Sequence, residues 1–141
     1  MEIEQKNLRE IINYRLEKLE KIRASGFNPY PYNFDKTHQI TELLKKGENG
    51  VGGKVKTAGR MVSFRKMGKA SFTHIQDENG KIQVYLKNDL LPENLYDNIV
   101  RNLDLGDIIG CSGELFITKT GEITIKADNI KILSKNIRPL P

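Results

Sequence analysis

The chain has 141 residues, 38% of them apolar, enough for one domain with an appendage and a core that needs no disulfide or metal staples. Its formal charge is +5; no apolar run approaches the roughly 20 residues of a membrane span, and the charges from Glu2 onward do not read as a signal peptide. The single cysteine, Cys111, sits in the apolar run Ile108-Ile109-Gly110-Cys111-Ser112-Gly113, where it reads as a small buried side chain in a reducing compartment, with the cytoplasm as the expected location.

Residues 7–25 are predicted to form an amphipathic helix, because Leu8, Ile11, Ile12, Leu16, Leu19 and Ile22 recur near helical spacing and Gly26 offers a stop. Prolines at 29 and 31 make residues 27–32 an extended connector. A short helix is expected over 39–46, with Thr37 as its cap. The glycine-rich stretch from Gly47 to Lys54 fails the phosphate-loop pattern, since Glu48 stands where a glycine is needed and Val55 replaces the hydroxyl residue. It is expected to be a flexible loop.

From Lys54 onward the pattern is strand, strand, strand, helix, strand, strand, over 54–64, 70–76, 81–87, 92–103 for the helix, 107–118 and 122–133. Asp77-Glu78-Asn79-Gly80 and Lys119-Thr120-Gly121 supply turns. Five strands with a helix between the third and fourth give a mainly β chain, the order of an OB-fold Greek-key barrel, here preceded by the amphipathic helix. The expected division is 1–50 for the helical extension and connector, 51–134 for the barrel, and 135–141 beyond it.

Alternation on the second and third strands turns Ile75, Ile82, Val84 and Leu86 inward and Phe72, His74, Gln83 and Tyr85 outward. An exposed Phe72 is a platform for a flat partner such as a nucleic-acid base. Gln83 carries an amide able to pair with a base edge, and Glu122, at the tip of the last hairpin, could accept a proton from a base; a plain solvent-face glutamine and a plain turn glutamate are the alternatives. Arg65, Lys66 and Lys69 fall in the loop between the first two strands, either contacting phosphates and a neighbouring base or simply solvated. Residues 52–87 hold eight basic side chains against Asp77 and Glu78, whereas 88–105 is net acidic, so the positive field centres on these strands. His38 and His74 lie far apart without a cysteine or carboxylate cluster, which argues against a metal site. His74 instead lines the pocket's edge. No nucleophile–base pair or paired acids suggest chemistry performed by this chain.

Several ordered motifs carry a resemblance that covers nearly the whole chain: Met67-Gly68-Lys69-Ala70-Ser71-Phe72 with Ile75-Gln76-Asp77; Leu105-Gly106-Asp107-Ile108-Ile109-Gly110; Thr118-Lys119-Thr120-Gly121-Glu122; and Leu133-Ser134-Lys135 with Arg138-Pro139-Leu140-Pro141. They resemble the amino-terminal anticodon-binding domain of class II lysyl-tRNA synthetases, as does Arg23-Ala24-Ser25-Gly26-Phe27-Asn28-Pro29-Tyr30-Pro31. Aspartyl and asparaginyl relatives share the outward Phe and Gln, but the Met67–Phe72 string and the Arg138–Pro141 ending favour lysine. The resemblance implies that Phe72 stacks under the central uridine of the lysine anticodon while Gln83 and Glu122 read its edge, and that Arg65 and its loop grip neighbouring bases. Phe64 departs from the pattern, standing where members often carry a basic residue. The resemblance further implies that 135–141 begins a hinge to a catalytic domain outside this chain, which would hold ATP, magnesium and lysine and most of a homodimer interface, so that aminoacylation belongs to a parent ligase. A non-specific single-strand binder and a protein-interaction or dimerisation module are the competing expectations.

Overall fold

A computed structural model describes residues 2–26 and 34–137; the connector at 27–32 and the segment 138–141 lie outside the described residues. Five strands, β1 (Lys54–Met67), β2 (Ala70–Gln76), β3 (Lys81–Lys87), β4 (Ile108–Ile117) and β5 (Ile123–Ser134), close into a barrel in the order β1-β2-β3-β5-β4. This is the five-stranded OB-fold barrel that the strand order predicts. All neighbours are antiparallel except β3 and β5, which run parallel through three residue pairs, Gln83–Thr124, Val84–Ile125 and Tyr85–Lys126. Long β1 serves two partners, pairing with β4 through Lys54–Arg60 and with β2 through Arg60–Met67, with a bulge between Met61 and Ser63 that sharpens its bend.

The alternating strand positions Ile75, Ile82, Val84, Leu86, Ile109, Leu115 and Ile125 fill the interior, as period-two patterning requires. Two plugs stop the barrel ends. Helix α2 (Ile40–Lys46) lies against the β2–β3 turn, where Gly80 faces Ile40, Thr41 and Leu44 so closely that a Cβ would come within 3.2 Å of Ile40. That turn is an Asx turn: Asp77 Oδ1 accepts the backbone N–H groups of Asn79 and Gly80, each at 2.9 Å. At the other end, buried Leu95, Tyr96, Ile99, Val100 and Leu103 close the core, and Tyr96 shares a 2.6 Å hydrogen bond with Ser71 beside the Gly68 turn.

Several local expectations need correction. The helix expected over 92–103 is only a single turn, α3 (Leu95–Asn98), followed by a 3-10 turn at Val100–Asn102; Asn94 in the left-handed region (φ 68°) delays its start, and tight winding lets five apolar side chains plug one opening. β1 extends to Met67, so Arg65 and Lys66 stand on a strand rather than in a loop. Thr37 does not cap α2. Gln39 does, its N–H bonding Glu42 Oε1 at 3.2 Å, whereas Thr37 Oγ1 accepts the Lys56 N–H at 2.8 Å. Gly47–Gly50 forms a 3-10 turn packed under Leu115 rather than a loose loop.

The amino-terminal helix, α1 (Glu2–Ala24), starts earlier than its periodicity suggests and is only partly docked. Leu19 and Ile22 are buried, but Ile11 (41% exposed) and Leu16 (43%) are not. Its anchor is ionic. Lys18 Nζ and Lys135 Nζ each sit 2.7 Å from Asp104, and Lys135, fully buried, also bonds both oxygens of buried Asp107. Asp107 further accepts the backbone N–H groups of Asp104 and Asn136. Burial pushes Asp104 up, but the bonds and charge of Lys135 and Lys18 outweigh it and hold the carboxyl below its ordinary value; desolvation dominates at Asp107, which is raised.

Asp104→Asn presents an amide nitrogen to one of two ammonium groups and leaves a buried charge uncompensated, so urea unfolding should show a loss of about 3–5 kcal/mol. Because Asp104 is depressed, its contribution is complete above the ordinary carboxyl value and fades as pH falls through the folded one. Asp107, being raised, works oppositely, losing stability as pH rises through its folded value. Protection of the α1 amides, measured against their intrinsic exchange rates, should therefore fall below about pH 4 in the native chain, and protection unmoved by acid would show that Asp104 does not hold the helix.

Candidate nucleic-acid interface

Strand register lays the outward side chains in two rows across the barrel. One runs Arg65, Phe72, Tyr85, Lys126, Glu114; the next runs Ser63, His74, Gln83, Thr124, Phe116. In the first row Phe72 and Tyr85 stack with centroids 4.8 Å apart, and the Arg65 guanidinium lies 5.3 Å from the Phe72 ring. Phe72 remains only half-buried. Arg65, Phe72, Gln83, Thr118, Thr120 and Glu122 line a concavity of about 370 Å³, at the small end of ligand-sized clefts of about 300–1,000 Å³.

The second row presets the polar groups. Thr124 Oγ1 donates to the Glu122 carbonyl at 3.1 Å, so its lone pairs are what face Gln83, and Gln83 Nε2 donates to it at 3.0 Å. That fixes the amide's orientation. Gln83 is therefore not an open solvent-face residue, as alternation alone suggests, but is 8% exposed, keeping its carbonyl and second N–H for a partner. His74 is held at both nitrogens, by Ser63 Oγ at 2.7 Å and Glu122 Oε1 at 2.9 Å. The Glu122 carboxylate can only accept, so in the neutral ring Nε2–H donates to Glu122 and Nδ1 accepts the Ser63 O–H, while Ser63 Oγ also accepts the His74 backbone N–H. The hairpin itself is a tight turn at Gly121 (φ 90°) with Thr118 N–H on the Glu122 carbonyl at 3.0 Å. An aromatic floor, an oriented amide and a tethered carboxylate thus converge on one opening.

A model of OB-fold nucleic acid binding domains of the tRNA anti-codon type matches residues 55–133. The chain belongs to this family. It is 46% identical over 132 residues to the lysine–tRNA ligase of Fusobacterium nucleatum, covering 93% of this chain and 26% of that protein. With the lysine–tRNA ligase of Carboxydothermus hydrogenoformans identity is 45% over 139 residues, 99% of this chain and 28% of the relative. The Thermosipho melanesiensis lysine–tRNA ligase gives 43% over 141, 95% and 28%. The chain spans about a quarter of the length of these curated relatives.

On this OB-fold domain the six residues singled out from the sequence do not all meet. Phe72, Gln83, Glu122 and Arg65 share the opening, and His74 stands behind it, bonded to Glu122. Lys69 is exposed at the β1–β2 turn instead. Lys66 is on the opposite side of β1: its ammonium sits 5.1 Å from the Phe64 ring and 3.5 Å from the Arg101 carbonyl. Burial, with Lys18 and Arg101 nearby, lowers its pKa. Phe64, which stands where the resemblance expects a basic residue, is partly buried and packs against the core. Cys111 is in the core, its thiol pushed up to about 12 by burial, with Asp128 adding to it, and so is inert. A larger groove of about 670 Å³ flanks the first half of β1, among Ala58, Gly59, Val62, Ile108 and Leu133, without an aromatic residue among its described lining. No helix among the described residues is long and apolar enough to cross a membrane.

Sequence reading missed Thr124 and Ser63. Both stand on the outer face by strand parity, but nothing local to β5 reveals that it runs parallel to β3. Thr124→Val keeps the shape and strands the Gln83 N–H, so a loss of about 1–3 kcal/mol is expected in urea unfolding, with faster exchange of the Gln83 side-chain amide by NMR. Unchanged stability and exchange would mean that Thr124 does not orient the amide.

Proposed function

We propose that this domain reads the anticodon of a lysine tRNA for a parent lysine–tRNA ligase, with the central uridine stacked on Phe72. The observation that carries the reading is the preset amide and carboxylate beside the half-buried Phe72 ring. Uracil shows an imide N–H between two carbonyls. Gln83 offers it one acceptor and one donor in a plane, and Glu122 a further acceptor; cytosine lacks the imide proton. Arg65, at the ring's edge, supplies charge for a neighbouring base or phosphate, and exposed Lys69 adds to the field at the turn.

The ligase reaction, with its ATP and magnesium, is assigned to a part of the parent outside this chain, and the resemblance supports a cytoplasmic homodimer for the whole enzyme. Asp104 and Asp107 are paired with Lys18 and Lys135. No group of three metal-ligating side chains occurs among the described residues.

An anticodon stem-loop carrying the lysine anticodon should bind more tightly than one whose middle base is cytosine, by about 1–3 kcal/mol. Phe72→Ala should cost about 1–3 kcal/mol for the cognate loop. Fluorescence anisotropy at fixed salt measures both. Equal affinity for the two loops, with a steep salt dependence, would replace this reading by sequence-indifferent single-strand binding.

A further inference from the structure

The aromatic surface does not end at the base-sized opening. Tyr85, stacked on Phe72, meets Phe116 edge-on at 6.4 Å and 61°, and the Lys126 ammonium lies 5.3 Å from the Phe116 centroid. Register places Lys126 opposite Glu114, yet among the described ion pairs it makes none; its charge rests on a ring instead. Tyr85 and Phe116 are half-buried and Lys126 is exposed. None of the three lines the opening beside Phe72, and the geometry around that opening gives them no role. Two half-buried aromatic side chains and one exposed cation resting on the Phe116 ring suit a base and the phosphate attached to it.

We propose that Tyr85, Phe116 and Lys126 form a second nucleotide site, which takes the base next to the anticodon triplet and its phosphate. This rests on the anticodon reading above: a strand whose middle base sits on Phe72 and which runs across β3 and β5 brings the base two positions on, the one flanking the triplet, to β4. The site is sequence-tolerant: its rings offer stacking, the Gln83 amide is turned to Thr124 and the opening beside Phe72, and the Glu114 carboxylate, across from Lys126, is oriented by none of the described hydrogen bonds. Lys126 leaves the Phe116 ring for the phosphate as the base arrives, so the cation moves with little rearrangement of the strands.

The test is a mutant cycle with anticodon stem-loops that carry a single abasic residue at either position flanking the triplet. In the native domain one of the two should weaken binding about tenfold, and in Phe116→Leu/Lys126→Gln the same abasic loop should bind no worse than the intact one. Phe116→Trp keeps a flat ring and should keep the penalty. An equal penalty in native domain and double variant, or no penalty at either flank, overturns the second site. A parallel cycle pairs Phe72→Ala with an abasic middle base. If that cycle couples and the flanking one does not, only the second site falls; if neither couples, the anticodon reading falls and takes this one with it.

Discussion

Everything at the binding face depends on three residue pairs between β3 and β5. They are the only parallel contact in the barrel, they link strands separated by the whole α3 segment and β4, and they bring Thr124 beneath Gln83. Such closure is entropically expensive because the intervening loop must be ordered first. It is stabilised by what it covers: Ile125 and Val84, paired directly across the closure, are both fully buried, each contributing about 1.5–3 kcal/mol of apolar burial. Without the closure, Phe72 would still face outward, but nothing would aim an amide or hold a carboxylate beside it.

A second constraint joins chain segments that hydrophobic packing leaves loosely tied. The first helix offers the barrel Leu19 and Ile22, a small apolar contact for its length. Lys18, from that helix, and Lys135, just after β5, converge on Asp104 from opposite ends of the sequence. Ion pairs of this kind add little net stability compared with a well-packed apolar alternative. Their effect here is on geometry: the carboxylates of the 104–107 turn fix where α1 leaves the barrel and where the chain continues after β5. Arg15, bonding the Asn136 carbonyl at 3.1 Å, adds to the same tie.

The fold was legible because strand alternation is a local property. Ile75, Ile82, Val84 and Leu86 announce their face without help, and so do Phe72 and Tyr85. Glycines and aspartates mark the turns by conformations that side-chain chemistry dictates. Errors arose where tertiary packing overrode local pattern. The segment after Pro92 has the composition of a helix, yet an opening in the barrel selects a shorter, tighter winding. The stripe on α1 is regular, but regularity does not say how much of it is covered. Gln83 shows the limit most clearly: its face was readable, whereas its burial required knowledge of which strand lies beside β3.

The two rows also separate what is rigid at this face from what must move. Gln83, Thr124, His74 and Ser63 stand on strands and are cross-bonded, so their orientation costs nothing at the moment of binding. Arg65 is different. Tyr85 stacks on the Phe72 ring and the guanidinium of Arg65 lies over it, so a base that stacks on Phe72 must displace Arg65 or slide beneath it. On the proposed reading the arginine then covers the incoming base or reaches its phosphate, exchanging one cation–π contact for a comparable one plus a charge pair. Displacement therefore costs little, of the order of an exposed cation–π contact at about 0.5–1 kcal/mol. On that reading a preset polar edge and a cation that changes partners divide the work: discrimination lies with groups that do not move, and grip with one that does.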